Sequence, residues 1–436
     1  MPSSTRNEGG KMYDWATELF PICRSLTGDG VRQTLGFFKQ LLPDLTLHEI
    51  PSGTQVFDWI IPDEWNITDA YVADATGKRI IDFNHNNLHV VGYSEPINRT
   101  MSFAELDKHL HSLPEQPDAI PYITSYYQRR WGFCLSEHQR NALRAQPDAS
   151  YHVCIDSTLQ PGNLTYGEWI LPGASTKEIL LSTYVCHPSM ANNELSGPCV
   201  AAALAQWLQT LPNRRYTYRI VFLVETIGAI AYLSRHAETL KNTTEAGFIL
   251  TCMGDDNAYS YVPSRLGNSL ADRIAMRVLA HHAPNHIAYS YLDRGSDERQ
   301  YCSPGIDLPI CSVMRSKYGT YPEYHTSLDD LSFISPQGLQ GGYDILKHCI
   351  EALEENYIYR CTTFCEPQLG KRGLYPTLST KESGKQVRDM MNFLSYADGK
   401  NDLIAIAEKI NIPASAAIPL AKKLLESGVV EIIPAK

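Results

Sequence analysis

The chain has 436 residues, enough for roughly three domains and one large buried core. Its 38 basic and 48 acidic side chains leave a net charge of −10, which opposes attraction of the whole surface to nucleic acid or an anionic membrane. Hydrophobic residues at 43% and charged residues at 20% exclude a disordered or fibrous chain. The opening stretch Met1 to Trp15 lacks the apolar run of a secretory signal, and no segment approaches the roughly 18 apolar residues of a membrane span, so a cytoplasmic location is expected. Eleven cysteines without a CxxC pair predict reduced, packed thiols.

In chain order, two helical patterns, Met12 to Phe20 and Val31 to Leu42, flank the glycine-punctuated loop Ser25 to Gly30. Short β-rich runs follow from 46 to 95, then proline-bearing loops, a helix near Ser136 to Ala145, and further β-type runs at Tyr151 to Ile155 and Leu164 to Leu171. Beyond 175 strand-length apolar runs alternate with helices: Ile179 to Val185, Ser196 to Leu211, Arg219 to Val224, Gly228 to Leu240, Phe248 to Met253, Ser269 to His282 and Leu308 to Met314. The alternation predicts an α/β domain with a mostly parallel sheet covered by helices, formed by 1–45 and 150–365 and interrupted by a β-rich insertion at 46–149. Three helices and the run Val429 to Ile433 predict a winged helix at 370–436. Residues 371–436 carry ten Lys or Arg and seven Asp or Glu, and the third helix offers only Lys422 and Lys423 with Pro419 inside it, so the module reads as a docking or dimerisation element rather than a DNA reader.

In open α/β sheets ligands collect beyond the carboxyl ends of the strands. The first strand runs into Cys186-His187-Pro188 and Asn193-Glu194, the second into Glu225-Thr226, the third into Asp255-Asp256, and the fourth into Arg315 and the loop ending Tyr324-His325. Histidine and carboxylate ligands without a cysteine pair suit a catalytic zinc, which polarises a carbonyl and acidifies water; Glu225 is the natural general base. A structural alternative for Glu225 is a buried pair with Arg315. Adjacent strand positions face opposite sides, which argues against a Cys186–His187 nucleophilic pair. Asp293, Arg294, Asp297, Glu298 and Arg299 read as a solvated charged loop.

The blocks Cys186-His187-Pro188, Asn193 to Gly197, Glu225 to Gly228 and Tyr324 to Asp330 resemble those of zinc aminopeptidases of the bacterial leucyl aminopeptidase and glutaminyl cyclase clan. With Arg24 to Gly30, Ser52-Gly53, Phe57 to Trp59, Asn87 to Val90 and Gly295 to Tyr301, the whole chain is similar to the subgroup with an inserted β domain and a C-terminal winged helix, associated with polysaccharide biosynthesis. The resemblance implies a zinc-peptidase-like fold and a metal-dependent hydrolase acting on a small peptide or amide. The two-zinc enzymes of that clan have a bridging aspartate where this chain has Asn193 and a glutamate ligand where it has Thr226. One zinc held by His187, Glu194 and His325 is therefore expected, with Asp255, Asp256, Asn193, Arg315 and Tyr324 as further metal or substrate contacts. Amide transfer, cyclisation or deacylation on a modified amino acid or sugar is the alternative chemistry, and a non-catalytic binding protein using the winged helix is the alternative class. The expected partner is a small peptide or amide substrate rather than nucleic acid or membrane; homo-oligomerisation stays open.

Overall fold

A computed structural model describes residues 8–374 and 381–433. The central sheet has eight strands, here β1 (Thr46–Pro51), β2 (Asn163–Leu171), β3 (Glu178–Tyr184), β4 (Thr217–Leu223), β5 (Thr244–Ile249), β6 (Ser260–Val262), β7 (Ile287–Ala288) and β8 (Ile310–Met314), in the order β1-β2-β4-β3-β5-β8-β6-β7. β4, β3, β5 and β8 run parallel, while β1 and β2 form an antiparallel edge. All seven residues of β3 are buried, the near-continuous burial that a parallel strand covered on both faces requires. Helices α1 (Glu8–Leu19), α2 (Asp29–Leu41), α3 (Ser196–Thr210) and α4 (Ile227–Thr243) belong to the same compact unit; the Gly197 position of α3 approaches the Leu250 carbonyl so closely that a Cβ would sit 2.3 Å from it.

The chain leaves β3 for β4 on one side and later for β5 on the other, so the strand order reverses at the carboxyl end of β3. That is where a crevice opens in such sheets. His187 stands three residues beyond the end of β3 and Glu225 two residues beyond β4.

The insertion builds its own antiparallel sheet from Glu64–Ala73, Arg79–Asp82, Ile97–Ser102 and Ser150–Gln160. Its edges differ from the expected 46–149: Thr46–Pro51 is the outer strand of the central sheet, paired with β2, and Ser150–Gln160 is the middle of the inserted sheet. Both segments are short alternating strands, and alternation does not say which sheet a strand joins.

A second compact unit contains Leu270–His286 and Asp344–Lys436. Within it lies the winged helix, with helices Lys381–Tyr396, Leu403–Lys409 and Ala414–Glu426 and a three-stranded sheet in which Ile358–Cys361 sits between Asp398–Asp402 and Val430–Ile433. The strand Ile358–Cys361 places the start of this module near 358 rather than 370. Its core includes Tyr359, Met390, Phe393, Leu403, Ile406 and Leu424. All eleven cysteines are free, and among the described residues no single helix is long and apolar enough to cross a membrane.

Candidate active site

β3 ends in a buried turn. Cys186 and His187 follow at 1% and 4% exposure, Ser189 takes a positive φ of 41°, and a π-helical turn, Ala191–Leu195, carries the chain into α3. Such turns are frequent at functional sites. Asp329 holds this one from outside, accepting the backbone N–H of Asn192 at 2.6 Å and of Asn193 at 2.9 Å.

The π turn delivers Glu194, fully buried, to His187: its Oε2 lies 2.9 Å from Nδ1. Behind Glu194 stands Arg24, itself 1% exposed, whose Nε donates to the His187 carbonyl at 2.9 Å and lies 3.5 Å from Glu194 Oε1. Burial raises the Glu194 carboxyl to about 8 against the opposing charge of Arg24, and burial followed by the repulsion of Arg24 lowers His187 to about 3. The imidazole is thus neutral. Nδ1 is engaged by Glu194, and Nε2 faces Glu225 Oε2 at 3.6 Å.

Glu225 follows β4 and directs its backbone N–H to Cys186 Sγ at 3.2 Å. Thr226 then adopts φ 63°, an outlying conformation for a β-branched residue and one that persists only when over-determined. Asp297 accepts the Thr226 N–H at 2.8 Å, and Arg299 donates to its Oγ1 at 2.8 Å. Burial first, then the Asp297 carboxylate, push the Glu225 carboxyl above its ordinary range.

His325 comes from the far end of the chain, also at positive φ (57°). Its ring lies 5.5 Å from that of His187, centroid to centroid, and stacks on Tyr324 at 3.9 Å. Burial and the neighbouring His187 lower its pKa to about 3. Its Nε2 is buried and has no hydrogen-bond partner among the described residues. Two neutral imidazoles, one with an orphaned nitrogen, share this cavity with the Glu225 carboxyl, and these are donor types that a zinc-like ion takes. Among the described residues, the ligating atoms that all lie within 4.8 Å of one another are those of Cys186, His187 and Glu194.

The cavity over this site measures about 370 Å³; Cys186, His187, Glu225 and His325 form its floor. Glu194 does not line it. Tyr122, from the insertion, packs beside both histidines, 5.2 Å from the ring of His187 and 5.1 Å from that of His325, and its hydroxyl pairs with Tyr126 at 2.7 Å. The Tyr122 N–H donates to the His325 carbonyl at 2.9 Å, and Pro121 bridges Thr326.

The other predicted contacts lie elsewhere. Asp255 is fully buried and accepts from the Asn257 N–H, the Ser316 N–H, the Ser316 hydroxyl and the Asn192 amide. Asp256 is exposed. Arg315 stacks on Tyr259 at 3.9 Å and donates to the Asp255 carbonyl, so it is not the partner of Glu225. Asn193 takes a hydrogen bond on its Oδ1 from Tyr184 at 3.4 Å, and its Nδ2 is a buried donor without a partner among the described residues.

Two expectations are corrected. Cys186 and His187 do touch, with Sγ 3.3 Å from Nδ1, because the chain has left β3 and strand alternation no longer applies; burial nonetheless raises the thiol well above its ordinary range, so no thiolate forms. The charged run 293–299 is not a uniformly solvated loop: Asp297 and Glu298 are buried, Glu298 accepting from the N–H groups of Gly295 and Ser296 and from the Tyr318 hydroxyl. Arg24, Tyr122 and Asp297 are site residues that sequence reasoning did not assign, although Arg24 opens the motif that runs to Gly30.

The family model described as a domain of unknown function, DUF4910, matches residues 13–356, and a winged helix-turn-helix model matches residues 357–432. A relative from Clostridium acetobutylicum, whose name couples polysaccharide biosynthesis with an aminopeptidase-like domain, is 44% identical over 403 residues, covering 92% of this chain and 91% of that one. A crystal structure from Clostridium acetobutylicum matches with a TM-score of 0.91 at 42% identity, over 98% of this chain and 96% of that chain. The zinc aminopeptidase BSAP of Bacillus subtilis shares the fold, with a TM-score of 0.56 at 14% identity over 79% of this chain and 94% of that chain. With an aminopeptidase-like α/β fold and a C-terminal winged helix, the chain belongs to the DUF4910 family.

Proposed function

We propose that the chain is a metal-dependent hydrolase of small amides, in which His187 and His325 hold one divalent ion of the zinc type and Glu225 is the general base. The observation that carries this reading is the buried, partnerless Nε2 of His325 beside the free face of His187. A bound ion there supplies Lewis-acid polarisation of a carbonyl and acidification of water.

The residues do the rest. Glu194 holds His187 in the tautomer that exposes Nε2. Glu225 acts as its carboxylate, which burial makes more basic than usual: it takes a proton from the attacking water, holds it as the neutral acid that the site favours, and returns it to the leaving nitrogen. The phenols of Tyr122 and Tyr126, which burial keeps protonated, are donors on the cavity wall for a developing oxyanion. One ion rather than two is supported by Asn193 and Thr226, neutral side chains already engaged with Tyr184 and Arg299.

The test combines metal analysis of the zinc-loaded full chain with turnover of amino-acid anilides and N-acylated amino sugars. The wild type is expected to retain about one zinc. His187→Ala and His325→Ala lose it, whereas Glu225→Gln keeps it but drops turnover by about 10²–10⁴-fold. A wild type that retains no divalent ion, or a Glu225→Gln variant with full turnover, overturns the reading. The name of the Clostridium relative supports including the sugars, and acid release from them alone assigns deacylation.

A further inference from the structure

Large apolar side chains at the surface are ordinary when scattered, but here four of them lie on two neighbouring segments, and two of these, Trp59 and Tyr127, line the catalytic cavity. Phe57, Trp59 and Ile60 are 58%, 40% and 50% exposed, and Tyr127 is 54% exposed. The first three belong to a small hairpin of the insertion, Gln55–Val56 paired with Trp59–Ile60, whose tip places Phe57 at φ 53°. The hairpin is fastened at its base, Gly53 N–H to the Ile61 carbonyl at 2.8 Å and Ile61 N–H to the Thr54 carbonyl at 3.0 Å. Tyr127 meets Trp59 edge to face at 5.6 Å, and its hydroxyl reaches the Ile60 carbonyl at 3.4 Å.

Trp59 is a wall of two cavities. One is the catalytic cavity. The other, about 310 Å³, lies on its far side, with Phe57, Ile230, Leu233, Pro304 and Ile306 among its walls. Neither cavity is lined by a lysine or arginine, while Glu225 lines the first and Asp58 the second, so away from the proposed ion an anionic group finds no counter-charge in either. The Trp59 wall shared with the catalytic cavity makes the occupant part of the substrate rather than a separate partner.

We propose that the Trp59–Tyr127 pair, its rings packed edge to face, forms one jaw of an aromatic clamp against the cavity floor that selects amides bearing a flat, uncharged apolar group, and that the cavity behind Trp59 receives the far end of that group. The proposal deepens the amide-hydrolase reading and rests on it for the position of the scissile bond. Each ring contributes about two- to tenfold in affinity, the range for aromatic pairs beyond simple burial.

Calorimetric titration of the full-length, zinc-loaded Glu225→Gln protein with alanine 2-naphthylamide and with alaninamide tests it, since this background spares the ligand. The naphthylamide is expected to bind at least about tenfold tighter than alaninamide. Adding Trp59→Ala or Tyr127→Ala reduces that preference by about threefold or more, and Trp59→Phe keeps most of it. Equal affinity for the two ligands, or an unchanged preference in Trp59→Ala and Tyr127→Ala proteins of normal melting temperature, overturns the clamp. Should Trp59→Ala fail to fold, Tyr127→Ala decides between the same two outcomes. A Glu225→Gln enzyme that still turns over amides removes the hydrolase reading but leaves the aryl preference standing, so the two failures are distinguishable.

Discussion

Glu194 offers the sharpest test of how the site is built, because its carboxylate is either a direct metal ligand or the group that orients one. The geometry favours orientation: Oε2 is 2.9 Å from His187 Nδ1, the side chain is fully buried, and it does not line the cavity. Replacing it by glutamine keeps an oxygen acceptor for the Nδ1–H and removes the group's ability to ionise when a metal binds His187. Losing such an outer partner typically weakens a metal about 10–100-fold, or about 1.4–2.8 kcal/mol. A direct ligand is worth more, roughly a quarter of the about 10–16 kcal/mol of a four-ligand zinc site, or about 60–700-fold, and its loss leaves the ion too few ligands to hold a site. Competition of the apo-protein against a chromophoric zinc chelator at fixed pH reads the difference. Glu194→Gln is expected to bind zinc about 10–100-fold more weakly than wild type and to retain a measurable site. Abolished zinc binding in a folded Glu194→Gln protein, matching His187→Ala, would refute the orienting role and make Glu194 a ligand.

Two further predictions concern stability. Arg219 on β4 binds Glu178 on β3 through two bonds, at 2.6 and 2.9 Å, and Glu168 on β2 at 2.6 Å, all at or below 9% exposure, so Arg219→Met strands two buried carboxylates and is expected to cost about 3–5 kcal/mol, read as a lowered thermal midpoint with zinc stoichiometry unchanged. Glu64, where the insertion leaves the central unit, is held at about 2 chiefly by its hydrogen bonds to Arg32. A carboxyl lowered on folding stabilises above its unfolded pKa and loses that contribution as pH falls through the folded value. Because Arg32 is partly solvated, the gain is about 1 kcal/mol; the stability gap between wild type and Glu64→Gln should be full at about pH 6 and shrink between about pH 4.5 and 2, as measured by denaturant melts.

The parallel strands were legible because burial on both faces leaves unbroken apolar runs such as Ile179 to Val185, and the residues after them followed from the rule for open sheets. His187, Glu225 and His325 are brought to one cavity on that basis. The wall opposite was not legible. Tyr122 reaches His325 through a backbone pairing across some two hundred residues, and no local pattern encodes that approach. Asp297 and Glu298 sit in a hydrophilic run whose composition is that of a solvated loop, and only the Thr226 and Gly295 backbone donors explain why they are buried. Arg24 was visible as a residue but not as a role: a guanidinium beneath a carboxylate 170 positions downstream is a tertiary fact.

β1 and β2 are hydrogen-bonded neighbours with Pro51 opposite Asn163, so the polypeptide departs from and returns to the central sheet at almost the same point. A short turn would suffice to join those ends, and by connectivity alone the intervening module is a dispensable appendage. Its Tyr122 nonetheless packs against both imidazoles and carries the backbone donor that seats His325. Excision would thus spare the scaffold while dismantling one side of the reaction chamber, and any minimal catalytic fragment of this chain has to keep the detour.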